Sequence, residues 1–225
     1  MRNIFRYIAS ILVVVSITTG ARAQTEAPDT VTVPLWQGFD LETDLVPLVT
    51  NLLNDPGNYR YEALVRFNLK NKYYPVVELG YESRHAQLYS GIDYQGSGLF
   101  YRVGLDFNLI RPVSTKAANN KFLIGARLGM SDFSYDLRNI PFTSPFSGLP
   151  GFENRNGLRT TGFWFEIVAG IRIEIFDKVM MGWTARTRNE LGEAIPGAIG
   201  PYYLPGFGKA GSGVWALNYS IGYQF

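Results

Sequence analysis

Val214–Phe225 reads VWALNYSIGYQF. Trp215, Leu217, Tyr219, Ile221, Tyr223 and Phe225 occupy every second position and are apolar or aromatic. Ala216, Asn218, Ser220, Gly222 and Gln224 stand between them. Successive side chains of a strand point to opposite faces, so the segment is a strand with one apolar face and one small or polar face.

Working back from this strand, the same alternation predicts seven more. The eight segments are Trp36–Val46, Tyr59–Lys70, Tyr73–Arg84, Leu99–Leu109, Lys121–Phe133, Gly162–Phe176, Val179–Arg188 and Gly213–Phe225. Each is long enough to cross a bilayer on a slant, which takes about 9–11 residues; strands of soluble proteins more often have about 5–6. In the second, Tyr59, Tyr61, Ala63, Val65, Phe67 and Leu69 share one face and Arg60, Glu62, Leu64, Arg66 and Asn68 the other. In the sixth, Phe163 to Ile175 oppose Trp164, Glu166, Val168, Gly170, Arg172 and Glu174. The first is the weakest, because Pro47 cannot donate to a ladder and ends or bulges the strand. Asn71–Lys72 and Asp177–Lys178 are tight connections, whereas Ser83–Gly98, Asp136–Thr161 and Asn189–Ser212 are long. Tight turns at one end and long loops at the other suit a membrane barrel.

The N-terminus has a different character. Met1, Arg2 and Arg6 precede an apolar run from Ile8 to Ile17, followed by Ala21-Arg22-Ala23. This is the pattern of a secretory signal, with cleavage expected after Ala23. Residues 1–23 are thus read as a signal peptide, 24–35 as a periplasmic lead-in and 36–225 as the barrel. Of 21 basic residues, three lie in the signal, which leaves 18 against 19 acidic ones and a net charge of −1. Without a clustered basic face there is no case for nucleic acid. With no cysteine, disulfides, thiolate chemistry and the usual zinc sets are excluded. The chain is 46% hydrophobic and 15% aromatic, and after the signal those residues are spread in alternation rather than in blocks.

A soluble barrel also alternates, with its apolar face inward. Strand length, the aromatic end, and aromatics near segment ends (Tyr59, Tyr73, Trp164, Trp183, Trp215, Phe225) favour the polar face inward, with interfacial girdles outside. The lumen would then hold Asp40, Glu42, Asp44, Glu62, Glu78, Glu82, Asp106, Glu166 and Glu174 against Arg60, Arg66, Arg84, Arg102, Arg127, Arg172, Arg186 and Arg188. Every base in that set is arginine, whose planar guanidinium suits buried pairs with carboxylates. Eight strands enclose an interior that side chains can fill. The expectation is a packed ion-pair core, with Gly80, Gly104, Gly125, Gly129, Gly170, Gly182 and Gly222 making room for long arginines.

Motifs that could carry chemistry have simpler readings. His85, the only histidine, lies near Ser83, Ser90 and Asp93 and could serve a rim enzyme, but reads as a solvated loop residue. Gly206, Gly208 and Gly211 match G-x-G-x-x-G, yet a Pro-rich loop precedes them and a strand follows, so no phosphate site is expected. Asp40, Glu42 and Asp44 could hold a hard cation, but they are more simply partners of the arginines. No catalytic, metal or cofactor site is assigned. The long loops carry Phe142, Phe146 and Phe152, and Tyr202, Tyr203 and Phe207, among prolines. Stiff aromatic loops offer low-entropy contact area, so these six form either a recognition surface or a self-packed cap.

A strand closing on aromatics resembles the last strand of bacterial outer-membrane barrels. Asn68–Tyr81 (NLKNKYYPVVELGY), Glu166–Arg172 (EIVAGIR) with Met181–Trp183 (MGW), and Pro201–Lys209 (PYYLPGFGK) resemble an uncharacterised Bacteroidota outer-membrane barrel family, a domain of unknown function. The resemblance covers nearly all of the chain after the signal. It implies a Gram-negative envelope protein with a barrel fold and no catalytic residues; with the eight alternating segments, the expectation is an all-β, eight-stranded, antiparallel up-and-down transmembrane barrel in the outer membrane. Expected partners are outer-membrane lipid, the barrel-assembly machinery at the C-terminal strand, and a protein or glycan at the outer loops. The expected role is structural or recognitional rather than enzymatic. A narrow pore for small solutes or ions and a lipid-modifying rim enzyme are the alternatives.

Overall fold

The computed structural model describes residues 32–53, 57–110, 119–146, 148–192, 200–211 and 213–225. The predicted signal peptide and most of the lead-in lie outside them. In the unit Val33–Phe225, the elements are β1 (Trp36–Asp44), α1 (Leu45–Leu53), β2 (Tyr59–Leu69), β3 (Tyr73–Gln87), β4 (Asp93–Asn108), β5 (Asn120–Thr143), β6 (Pro150–Phe176) and β7 (Val179–Glu190). They are followed by β8 (Tyr203–Leu204), β9 (Gly208–Lys209) and β10 (Val214–Gln224). Eight antiparallel strands close in the order β1-β10-β7-β6-β5-β4-β3-β2, while β8 and β9 form a small separate hairpin.

The period-2 pattern becomes the two faces of the wall. Val77, Leu79, Val103, Ile167, Ile171 and Trp183 are exposed on the outside. Glu78, Arg102, Arg127, Glu166 and Arg186, one position away from exposed neighbours, are buried in the lumen. This polarity is opposite to that of a water-soluble barrel. The β2–β3 ladder closes at Leu69↔Tyr73, and the turn between works because Lys70 (φ 57°) and Asn71 (φ 55°) both take the left-handed conformation, which brings the Lys72 N–H to the Leu69 carbonyl at 3.1 Å. Asn68 steadies it by accepting from the Asn71 N–H at 3.0 Å. At the seam, Gly38 (φ 97°) lets β1 pass against the carbonyl oxygen of Phe225, where a Cβ would collide.

Three elements differ from expectation. β1 stops at Asp44 and the chain turns helical, so the fold is all-β apart from α1. The Asp44 carboxylate accepts from the Val46 N–H at 3.1 Å, an N-cap, and Pro47 falls in the first turn, where its missing N–H costs nothing. The segments read as loops Ser83–Gly98 and Asp136–Thr161 are largely strand. β3 and β4 stay paired out to Gln87↔Asp93, and β5 and β6 out to Thr143↔Pro150. Alternation continues in the added part of β4, where Tyr94 and Gly96 are buried between less buried neighbours, but the added part of β6 (PGFENRNGLRTT) is largely exposed on both faces and carries no clear period-2 signal. Trp164 is not in a girdle: it is 0% exposed, inside the lumen.

Candidate functional site

The lumen is filled in layers. Nearest the tight-turn end, Lys121 Nζ meets Asp40 at 2.5 Å and sits 5.2 Å from the Tyr74 ring centroid. Glu42 accepts from Arg66, from Arg172 Nε at 2.9 Å and from Ser220 Oγ at 3.2 Å. Asp106 accepts from Arg66 Nε at 3.3 Å and Arg127 Nη2 at 3.1 Å. Glu78, fully buried, is shared by Arg127, by Arg102 Nη1 at 2.5 Å and by Arg186 Nη1 at 3.2 Å. Above it, Glu62 holds Arg60 and Arg102 (3.2 Å). Glu166 lies 2.9 Å from Arg102 Nε, 3.2 Å from Arg186 Nη1 and 3.3 Å from Arg188 Nε, and accepts from Trp164 Nε1 at 2.7 Å.

Buried charges persist only when paired and hydrogen-bonded. Among the described residues eight lumen carboxylates (Asp40, Glu42, Asp44, Glu62, Glu78, Glu82, Asp106, Glu166) face eight cations, namely Lys121 and seven arginines. Lys121 corrects the expectation that every interior base is arginine; it shares the inward face of β5 with Arg127, and that spacing was the signal for it. Glu174 is not part of the network. It is half-exposed at the tight-turn end and accepts from the Lys178 N–H at 3.0 Å. Arg84 is also outside it, exposed at the opposite rim. Asp40, Glu42 and Asp44 do not converge on one point, because Asp44 turns to Asn218 and to the start of α1. Of the glycines, Gly104 and Gly182 do face arginine side chains, but Gly80 faces the Phe100 ring and Gly129 the Trp164 indole. Replacing Arg172 with alanine leaves Glu42 its bonds to Arg66 and Ser220. The expected loss is about 2 kcal/mol, read as a lower urea midpoint in detergent; an unchanged midpoint would mean the pair contributes nothing.

The upper lumen is apolar, which the reading of a wholly polar core missed. Tyr94, Phe100, Phe133, Tyr135, Leu137, Trp164, Leu204 and Phe207 form one buried cluster. Leu204 and Phe207 come from the loop after β7, which folds into the barrel mouth. Gly206 N donates to Glu82 at 2.7 Å, and Gly206 O accepts from Arg102 Nη2 at 2.6 Å. Phe207 O accepts from Arg188 Nη1 at 2.9 Å, and its ring lies 5.9 Å from Trp164. Tyr203 donates its hydroxyl to Glu82 at 2.8 Å and accepts from Tyr94 at its carbonyl, 2.6 Å. Burial, reinforced by Glu82, pushes the Tyr203 phenol up, so it remains a donor.

The six loop aromatics therefore part company. Tyr202, Tyr203 and Phe207 do not form an outer surface with the rest; they plug the mouth. Phe142, Phe146 and Phe152 stand on the β5–β6 hairpin, 45%, 99% and 75% exposed. The β6–β7 ladder ends at Trp164↔Glu190, with one further bond from the Leu191 N–H to the Phe163 carbonyl at 2.8 Å, so residues 150–162 pair with β5 alone and carry the hairpin beyond the wall. His85 Nε2 lies 2.7 Å from Asp93 Oδ1 in an exposed cross-strand contact. Ser83 is buried and Ser90 sits in the β3–β4 turn, so neither is held on the imidazole as a nucleophile.

No curated protein sequence matches the chain. The crystal structure of Neisserial surface protein A (NspA) aligns over 83% of this chain and 94% of its own, at 12% identity and a TM-score of 0.39. The model of the family described as Domain of unknown function (DUF6048) matches residues 4–225, nearly the whole chain, and the chain belongs to that family.

Proposed function

We propose that the chain is a non-catalytic outer-membrane β-barrel of a Gram-negative envelope, exported on a signal peptide cleaved after Ala23. In this reading its lumen is closed, its tight turns face the periplasm, and its β5–β6 hairpin meets a protein or glycan partner outside the cell. The C-terminal strand would be the segment presented to the assembly machinery. One observation carries the reading: the wall is apolar and the lumen is full. The projecting hairpin, with Phe146 almost wholly exposed, is then the element that engages a partner outside the cell. An apolar wall without water must satisfy its backbone internally, and a closed barrel does so.

The barrel should insert into lipid vesicles, migrate differently before and after heating, and stay electrically silent in planar bilayers. Steady open channels would overturn the closed lumen and favour the pore. A mature chain that is monomeric in water without any amphiphile would overturn the membrane location. Changing Phe142, Phe146 and Phe152 together to serine should leave unfolding within about 0.5 kcal/mol of the parent, as exposed sites do. The same variant should abolish partner cross-linking at the cell surface; retained cross-linking would remove the hairpin from the interface.

A further inference from the structure

β1 reaches less far up the wall than its neighbours. Its ladder with β2 ends at Thr43↔Ala63 and its ladder with β10 at Asp44↔Ser220. β2 nevertheless begins at Tyr59 and β10 at Val214. Above Asp44 the wall has a gap one strand wide, so β2 and β10 stand about two strand spacings apart, roughly 9.6 Å. α1 lies in that gap, against both β2 and β10. A helix with its side chains is about 10–12 Å across, so α1 fills the space without being able to continue either ladder.

Its attachments are few. Asn51 donates to the Arg60 carbonyl at 2.8 Å and accepts from the Arg60 N–H at 2.9 Å. Those are the two bonds a neighbouring strand residue would have made. On the other side Asp44 accepts from Asn218 and from the Tyr219 N–H at 3.3 Å. α1 carries no charged residue, and Val49, Leu52 and Leu53 are exposed, as are Trp215 and Leu217 on the adjoining edge of β10.

Behind α1 is a cavity of about 160 Å³ lined by Pro47 and Asn51 of α1 and by Arg60, Glu82 and Arg84 among others. Pockets for drug-sized ligands measure about 300–1,000 Å³, so this space admits a head group but not a lipid. Glu82 is engaged by Tyr203 and Gly206, and Arg60 by Glu62. Arg84 lies 5.4 Å over the Tyr203 ring and has no carboxylate partner among the described residues. Arg84 is thus the one pocket cation without a carboxylate partner among the described residues, and it stands beside an apolar doorway, an arrangement that complements an amphiphile with a negative head.

We propose that α1 is a lateral door through which a single-chain fatty acid from the surrounding bilayer places its carboxylate on Arg84, leaving its chain against Leu52, Leu53, Trp215 and Leu217. The proposal rests on the membrane location argued above. Its test is titration of cis-parinaric acid, a fluorescent fatty acid, into the folded protein in non-ionic detergent. The parent and an Arg155→Glu control should bind it saturably. Arg84→Glu, and separately the methyl ester of the probe, should weaken binding about tenfold or more, the size of one charge-assisted contact. Asn51→Ala, which unfastens α1 from β2, should speed association several-fold. Absence of saturable binding, equal affinity for acid and ester, indifference to Arg84→Glu, or an unchanged rate in Asn51→Ala would each overturn the door. The heat-dependent shift in electrophoretic mobility keeps the two readings apart. A barrel that shows the shift yet fails these measurements sinks the door alone, whereas a chain that is soluble without amphiphile sinks both.

Discussion

Replacing Glu78 with alanine should lower the unfolding free energy of the barrel by about 4 kcal/mol, the middle of the range for breaking a buried ion pair. Glu78 is the only carboxylate among the described residues that Arg102, Arg127 and Arg186 all touch. Arg127 would keep Asp106, and Arg102 and Arg186 would keep Glu166. Each would still lose an acceptor in a place water does not reach. Three positive charges would then crowd around a cavity, which adds repulsion to the lost hydrogen bonds. Glu78→Gln restores the shape without the charge and should recover only part of the loss. Urea unfolding followed by tryptophan fluorescence reads both variants. A midpoint for Glu78→Ala within error of the parent would show that the lumen network carries no stability.

Phe207→Ala should release the mouth loop without unfolding the wall. Removing a fully buried phenylalanine costs about 3–5 kcal/mol where the site cannot collapse. Here the ring packs on Trp164 and the adjoining backbone satisfies Glu82, Arg102 and Arg188. The loop enters from the exposed end, so the loss appears as local opening rather than as global instability. At tenfold per 1.4 kcal/mol, even a 3 kcal/mol loss raises the open fraction about a hundredfold. Trypsin cleavage after Lys209 measures it: the variant should be cut about two orders of magnitude faster in detergent. Equal rates would mean that the loop is held by something other than this ring.

How far the chain could be read depended on what each signal encodes. Alternation has a period of two and flips the whole face on a one-residue slip, so the inward members of β2, β4, β6 and β7 were legible from residue type alone. Their partners were not. Arg172 meets Glu42 across 130 residues, a pairing set by barrel stagger rather than by local spacing. Lys121 was legible by its place on the face of Arg127, yet it lies at the very start of its strand, where the face is easily discounted. Leu45–Leu53 (LVPLVTNLL) is mostly apolar, interrupted by Thr50 and Asn51, and a short run of that kind does not by itself distinguish strand from helix. The Asp44 cap followed by Pro47 in the first turn was the distinguishing mark. For Tyr203 and Phe207 composition showed stiffness and contact area, but only the chain's path shows which way the loop folds.

Some of the lumen pairs reach across the ring: β1 to β6 through Glu42 and Arg172, and β3 to β7 through Glu78 and Arg186. A half-formed curl of strands would hold the pairs between neighbouring strands, such as Arg102 with Glu78 and Arg127 with Asp106, but would leave the cross-ring groups unmatched. Closure of the seam and neutralisation of those last interior charges therefore happen together, which couples the final step of assembly to the completion of the interior.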